Sequence, residues 1–391
     1  MTFSKSRWPD FSEAEAGAVA ATLRSNRVNY WTGDIGRLFE REFADWAGSA
    51  HAVALANGTL ALDVALKALG IGPGDEVIVT PRTFIASISC VVNAGAVPVF
   101  ADVDRDSGNI SAATIADRIT DRTRAVIPVH LAGWPCDMDA IMALAERNRM
   151  VVIEDCAQAH GAMIGERSVG TIGHVGAWSF CQDKIMTTGG EGGMVTTDDP
   201  ALWSAMWSFK DHGKSWEAVY ERAHPPGFRW VHESFGTNWR MLEMQAAIGR
   251  IQLGRMPAWT DHRTIIAHRI ADALSPFGSM VRVPMPGADM RHAFYRLYAY
   301  VRPEGLNDGW SRDRIVAELV AGGVQVMHGT CSEVYLEKAF DGTAFRPAER
   351  LPVARELGET SLMFLTHPTM SDAELDNTEA VIARIMRAAS R

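Results

Sequence analysis

Between residues 52 and 198, short β-type runs that are apolar on both faces alternate with helical patterns, and this alternation narrows the possible folds more than any other property of the chain. The runs cover residues 52–56, 76–80, 97–103, 124–130 and 150–154. A strand with no polar face must be covered on both sides, and helices crossing over between parallel strands supply that cover. The expected core is therefore an α/β layer built on a mainly parallel sheet, with two further strands at residues 177–180 and 194–197 bringing it to seven. Residues 59–69 place Leu62, Leu66 and Leu69 on one helical face behind a possible N-cap at Asn57. Gly70 and the turn Gly72-Pro73-Gly74-Asp75 close that helix, and residues 138–147 form another before Val151.

The pattern changes after about residue 199. A stretch rich in tryptophan, glycine and proline over residues 203–239 leads into two helical runs, 242–259 and 262–274, which read as a bridge between domains. A smaller α+β unit follows, with a strand at 294–301, a helix at 311–321, a strand at 324–327 and a last helix at 372–387. The expected division is a large α/β domain over residues 1–255 and a small C-terminal domain over 256–391.

A net charge of -9 with no basic run argues against a nucleic-acid surface. Residues 1–11 carry charge and proline where a signal peptide needs an apolar stretch, and no run approaches the ~20 apolar residues of a membrane-spanning helix. A cytoplasmic location is expected. The five cysteines, at 90, 136, 156, 181 and 331, lack metal-site spacing, so buried free thiols are expected and no metal site is indicated.

Chemistry concentrates at two points. Asp155 stands at the end of a buried strand, and Lys184 follows 29 residues later in an apolar segment just ahead of Gly189-Gly190-Glu191-Gly192-Gly193. A strand-end acid in an open α/β sheet faces the crevice where ligands bind, although it can also cap the next helix. Lysines are mostly exposed, but neighbours such as Phe180, Ile185 and Met186 would desolvate this one and favour a neutral amine. Together they suggest pyridoxal phosphate, which needs a lysine to hold its aldehyde as a Schiff base and a carboxylate beside its ring nitrogen. Gly58 and Thr59 open a helix and could bind the phosphate, with the Ser179 hydroxyl beside them, or they could be an ordinary strand-to-helix turn. Phe84 falls at another strand end, as either a core aromatic or a platform for a ring. The glycine cluster would let backbone approach a ligand closely.

Several segments, in order, resemble the DegT/DnrJ/EryC1/StrS sugar aminotransferases. They are Asn57-Gly58-Thr59, Gly72-Pro73-Gly74-Asp75-Glu76-Val77-Ile78-Val79, Pro128-Val129-His130-Leu131, Glu154-Asp155-Cys156-Ala157-Gln158-Ala159-His160-Gly161, Ser179-Phe180 before Lys184, and Gly236-Thr237-Asn238-Trp239-Arg240. The resemblance runs from about Tyr30 to the C-terminus. It implies a pyridoxal phosphate enzyme of fold type I, the aspartate aminotransferase-like fold, and a homodimer with active sites shared between subunits. It further implies Lys184 as the Schiff-base lysine, Asp155 as partner of the ring nitrogen, and Gln158 as donor to the phenolic oxygen. Phe84 would cover the ring, while Gly58, Thr59, Ser179 and an Asn238 from the other subunit would hold the phosphate. Arg240 would meet the carboxylate of the amino donor. Where many members carry a His-Tyr motif near the sugar nucleotide, this chain has Met327-His328-Gly329-Thr330-Cys331, leaving His328 as a substrate contact.

The expected activity is transfer of the amino group of L-glutamate to a keto-sugar nucleotide, an NDP-4-keto-6-deoxyhexose, making an amino sugar for surface polysaccharide or natural-product biosynthesis. Family members that deoxygenate instead carry histidine at the lysine position, and cysteine ligands for the iron-sulfur cluster of the related dehydrases are not evident. The alternatives are a 3-keto sugar or a cyclitol ketone as acceptor, and a non-catalytic sensor on the same fold. A dinucleotide-dependent reductase is disfavoured because no Gly-x-Gly-x-x-Gly follows the first strand.

Overall fold

The computed structural model of the chain describes residues 6–391, so the expectation for residues 1–11 falls partly outside it. Its largest element is a seven-stranded sheet. In spatial order the strands are His51–Leu55, Gly193–Thr197, Val175–Ser179, Val151–Asp155, Thr123–Ile127, Glu76–Val79 and Val97–Phe100. Gly193–Thr197 pairs antiparallel with both of its neighbours, and every other pairing is parallel. The strands are apolar throughout because helices and loops bury both faces: Val77, Ile78, Val79, Val126 and Ile153 have no exposed surface. The strands expected at 97–103 and 124–130 stop earlier, at Phe100 and Ile127, and beyond the second of them Pro128 and His130 continue as a loop bonded to Asp155. The strand expected at 150–154 runs one residue further, making Asp155 its terminal residue.

The helix Gly58–Ala68 starts soon after the first strand because Asn57 caps it, its Oδ1 accepting the Leu60 N–H at 3.0 Å. It packs on the strands Val175–Ser179 and Gly193–Thr197. Two helices near the N-terminus, Glu13–Arg24 and Ile35–Ala47, pack on Glu243–Leu253. Glu243 accepts the N–H groups of Ile35 and Gly36 at 2.6 and 3.0 Å, satisfying the start of Ile35–Ala47 from across the interface. The two bridging helices divide at Gly254 and Arg255, earlier than expected, into Glu243–Leu253 and Met256–Leu274.

A second core draws on residues from Ile266 to Ala389. It surrounds an antiparallel sheet in the order Val281–Arg282, Arg296–Val301, Ser361–Leu365, Val326–Met327. The last helix extends to Ala389 and packs along Met256–Leu274. Val334, Tyr335, Phe340, Leu351, Ala354 and Leu357 leave this unit and join the core of the large sheet. Cys90, Cys136 and Cys156 are buried free thiols; the expectation fails for Cys181, which is half-buried, and for Cys331, which is exposed in a loop. Among the described residues no helix is long and apolar enough to cross a membrane.

Candidate active site

A cavity of about 750 Å³ opens beyond the C-terminal ends of the parallel strands, where the large sheet meets the smaller one. Gly58, Thr59, Phe84, Asp155, Gln158, Ser179 and Lys184, seven of the residues singled out in the sequence, all line it. The smaller sheet closes the other side with Tyr295, Arg296, Tyr298 and Met363.

Asp155 is buried on the cavity floor. Its Oδ2 accepts the Ser87 hydroxyl at 2.8 Å and its Oδ1 accepts the Ala157 N–H at 3.1 Å, while Thr83 holds Ser87 in turn at 2.9 Å. The strand end is pinned by backbone bonds on both sides, from the Asp155 N–H to the Pro128 carbonyl and from the His130 N–H to the Asp155 carbonyl. Beneath it lies a closed polar network. His130 Nδ1 accepts the Cys136 N–H at 3.0 Å, so its Nε2 carries the proton that it donates to Glu154 Oε2, also at 3.0 Å. Glu154 also accepts three backbone N–H groups, from Gly170, Ile172 and Gly173. Burial pushes the Glu154 pKa up, but the bonds from His130 and the glycine amides outweigh it and hold the carboxyl below its ordinary value. His130, Glu154 and Cys156 offer ligand atoms within 4.8 Å of one another, yet this arrangement leaves His130 no free ring lone pair for a cation.

The helix start is brought to the strand end by a contact that tolerates only glycine. A Cβ on Gly58 would lie 2.6 Å from the Ser179 Cβ. The N–H groups of Gly58 and Thr59 have no partner among the described residues, so these donors, the Thr59 hydroxyl and the Ser179 hydroxyl face one end of the cavity. The glycines after Lys184 serve a different contact from the one expected. A Cβ on Gly193 would fall 2.2 Å from the Asn57 carbonyl oxygen and one on Gly192 would fall 2.0 Å from Thr188 Oγ1, so the close approach is to the chain itself. Gln158 Oε1 accepts the Ala132 N–H at 2.8 Å, which turns its NH2 group away as a free donor. Phe84 is 67% exposed and lines the cavity, so it is not a core aromatic.

Lys184 is half-buried, with its Nζ 5.4 Å from the centre of the Tyr295 ring. Phe180, Ile185 and Met186 point instead into the core that holds Phe39 and Phe43. The Lys184 carbonyl accepts the Trp8 indole N–H at 2.8 Å, and that N-terminal segment is tied to the far end of the chain through Glu374 and Thr369. Next to Lys184, the Asp183 Oδ2 accepts the Tyr295 hydroxyl at 2.5 Å. Ser87, Asp183, Tyr295, Arg296 and Trp8 were not singled out in the sequence; each acts through a partner distant along the chain, and only the run His292-Ala293-Phe294-Tyr295-Arg296 before an apolar strand hinted at any of them.

Three expected residues lie outside this cavity. Asn238 is exposed, and its Oδ1 accepts the Arg240 Nε–H at 2.9 Å. Arg240 also pairs with the fully buried Asp211 at 3.1 Å. His328 is exposed, with Nε2 3.4 Å from Asp313, although its neighbours Met327 and Thr330 reach the cavity wall.

The donor set fits pyridoxal phosphate: unpartnered helix-start N–H groups with two hydroxyls for a phosphate, an acid on the floor for a ring nitrogen, a free amide NH2 for a phenolic oxygen, an exposed aromatic for the ring face and an amine opposite. Comparison with known proteins points the same way. Residues 9–385 match the DegT/DnrJ/EryC1/StrS aminotransferase family. The chain is 36% identical over 362 residues to GDP-perosamine synthase of Caulobacter vibrioides, covering 91% of this chain and 92% of that one. It is 37% identical over 359 residues to the UDP-N-acetyl-3-dehydro-alpha-D-glucosamine 3-aminotransferase of Acidithiobacillus ferrooxidans, covering 92% and 90%. The X-ray structure of an aminotransferase from Psychrobacter cryohalolentis superposes with a TM-score of 0.96 at 61% identity, over 98% of each chain.

Proposed function

Since the chain belongs to the DegT/DnrJ/EryC1/StrS aminotransferase family and is a pyridoxal phosphate-dependent sugar aminotransferase, we propose that it passes the amino group of L-glutamate to a keto sugar carried on a nucleoside diphosphate, at C4 of a 6-deoxyhexose. The observation that carries this reading is the convergence of Lys184, Asp155 and the Gly58–Thr59 helix start on one cavity. Pyridoxal phosphate, when bound, supplies a ring that withdraws electrons from the carbon losing its proton.

The remaining work belongs to side chains. Lys184 would hold the cofactor through its amine, and the same amine is placed to take and return the proton moved between carbons, as base and then acid. Asp155, oriented by Ser87, would set its carboxylate against the ring nitrogen and favour that nitrogen's protonated form. Gly58, Thr59 and Ser179 bind the phosphate, Gln158 donates to the phenolic oxygen, and Phe84 covers the ring face. Asn238 completes the phosphate site from a second copy of the chain. Its exposure supports this, as does the exposure of Phe228, Trp230 and Phe235 on the same segment, an aromatic surface of the kind that pairs with a partner. His328 contacts the acceptor sugar. We place the division between the two domains at residues 255 and 256, and the reaction in the cytoplasm.

Amination at C3 is a second reading, favoured by the relative whose name specifies a 3-dehydro sugar. The test supplies L-glutamate with UDP-, GDP- and dTDP-linked keto sugars oxidised at C3 or C4 and identifies the amino sugar by mass spectrometry and NMR. A C4 amine formed by the wild type and not by Lys184→Ala supports the proposal. A C3 amine selects the second reading, and product from Lys184→Ala removes the lysine from the mechanism.

A further inference from the structure

Among the described residues two cationic side chains line the cavity, Lys184 and Arg296. Lys184 is occupied by the cofactor in the reading above, which leaves Arg296 facing the ligand space. Arg296 is only 9% exposed, yet its bonding is sparse. Its Nη1 donates to the Tyr295 carbonyl at 2.8 Å, and the Asp183 carboxylate lies 3.7 Å from Nη2, beyond hydrogen-bond reach. The Asp183 oxygen nearest to it already accepts the Tyr295 hydroxyl. A guanidinium carries five N–H donors, and leaving a buried charge without acceptors is costly.

The surroundings make this positive charge more pronounced. Arg82 is buried over the ring of Tyr298, which lines the cavity, at 4.8 Å, and none of its three nitrogens has a partner. Arg263 is fully buried, and its one hydrogen bond runs to the Thr366 carbonyl. None of the three arginines has a carboxylate at hydrogen-bond distance; Asp183 is within ion-pair range of Arg296 but already accepts the Tyr295 hydroxyl, and one carboxylate set against three guanidinium groups leaves this side of the cavity favouring an anion.

Lys184 and Arg296 also lie against one ring. The Lys184 Nζ is 5.4 Å and the Arg296 Cζ 3.9 Å from the centre of Tyr295. An anion held at Arg296 is thus close to the amine that moves the proton. The α-carboxylate of an amino acid is attached to the carbon that gives up that proton, whereas the diphosphate of a sugar nucleotide is held away from the acceptor carbon by the sugar ring. Arg240, the residue expected to meet the donor carboxylate, is already bonded to Asp211 and Asn238 and does not line this cavity. Resting on the transaminase reading above, we propose that Arg296 binds a carboxylate of the incoming amino acid, with Tyr295 and Asp183 fixing the orientation of its guanidinium.

Calorimetric titration of the cofactor-loaded protein with glutarate, an unreactive dicarboxylate, tests this without turnover. Parallel titrations with UDP and GDP provide the comparison. Arg296→Gln is expected to weaken glutarate binding about ten- to a hundredfold, the scale of a lost charge-assisted pair, and to leave UDP and GDP unchanged. Arg296→Lys keeps the charge but loses the planar fork and should fall between, so it carries the test if the Gln variant does not fold. Equal glutarate affinity in wild type and variant, no glutarate binding to the wild type, or weakened UDP and GDP binding with glutarate intact would each overturn the assignment. Stopped-flow conversion by L-glutamate separates the two levels of argument. A wild type that does not react removes the transaminase reading itself, whereas a reacting wild type whose half-saturation matches that of Arg296→Gln removes Arg296 alone.

Discussion

His160, in the motif that carries Asp155, is fully buried with both ring nitrogens unpartnered, packed 5.3 Å from Trp178 and 5.6 Å from Phe180. Burial, aided by the charges of Lys184 and Arg263, pushes its pKa down from 6.5 to about 3. The folded state therefore keeps this imidazole neutral, while the unfolded chain takes up a proton near pH 6.5. Between those two values the unfolded state binds more protons, so stability is complete above pH 6.5 and is lost as the pH falls toward 3. At pH 5 the loss from this one residue is about 2 kcal/mol, against less than about 0.1 kcal/mol at pH 7.5. His160→Leu removes the titration together with two unsatisfied nitrogens, each of a kind that costs roughly 1–3 kcal/mol when buried. Urea unfolding of wild type and variant at pH 7.5 and pH 5, both saturated with cofactor, measures the effect. Buried His292 and His367 are shared by the two proteins and cancel. The variant should gain about 2 kcal/mol relative to wild type on going to pH 5. A difference between the two proteins that is the same at both pH values would show that His160 is solvated or partnered, and would refute the reasoning.

Asp155→Asn should leave the fold intact, because the Ser87 hydroxyl can turn from donor to acceptor, and should slow the single-turnover reaction with glutamate on the order of a hundredfold; unchanged kinetics would remove the ring-nitrogen role. Gly58→Ala sets a methyl group 2.6 Å from the Ser179 Cβ and must part the helix from the strand end, so the cofactor dissociation constant measured by fluorescence should rise at least about tenfold, with about 1–3 kcal/mol lost from stability through overpacking. His328→Ala, at a side chain 57% exposed, should change stability by less than about 0.5 kcal/mol, and any change in steady-state kinetics should fall on the KM of the acceptor sugar.

The parts of the fold legible in the sequence were those set by local pattern. The strands through Val77, Val126 and Ile153 are apolar on both faces because both faces are covered, and that property is written residue by residue. The direction of Gly193–Thr197 is not: nothing in its composition distinguishes an antiparallel strand, and its place between His51–Leu55 and Val175–Ser179 brings Gly193 against the Asn57 carbonyl, a contact between residues far apart in the chain. The helix Glu13–Arg24 carried a signal that went unused, the capping box of Ser12 with Glu15. In the site, the residues at strand ends of the large sheet could be gathered because each lies where such sheets bind ligands. Tyr295 and Asp183 are 112 residues apart, and no local pattern joins them. Asn238 and Arg240 sit in a motif near other site segments, yet in a single chain they do not line the cavity and bond to each other.

The central claim is that Lys184 and its cavity carry out the amino transfer, and the visible absorption spectrum of the cofactor-loaded protein before and after addition of L-glutamate tests it most directly. The account predicts a visible band from cofactor joined to Lys184, its loss when glutamate is added, and 2-oxoglutarate released in equal amount. No band in the wild type, or the same band in Lys184→Ala, would contradict it.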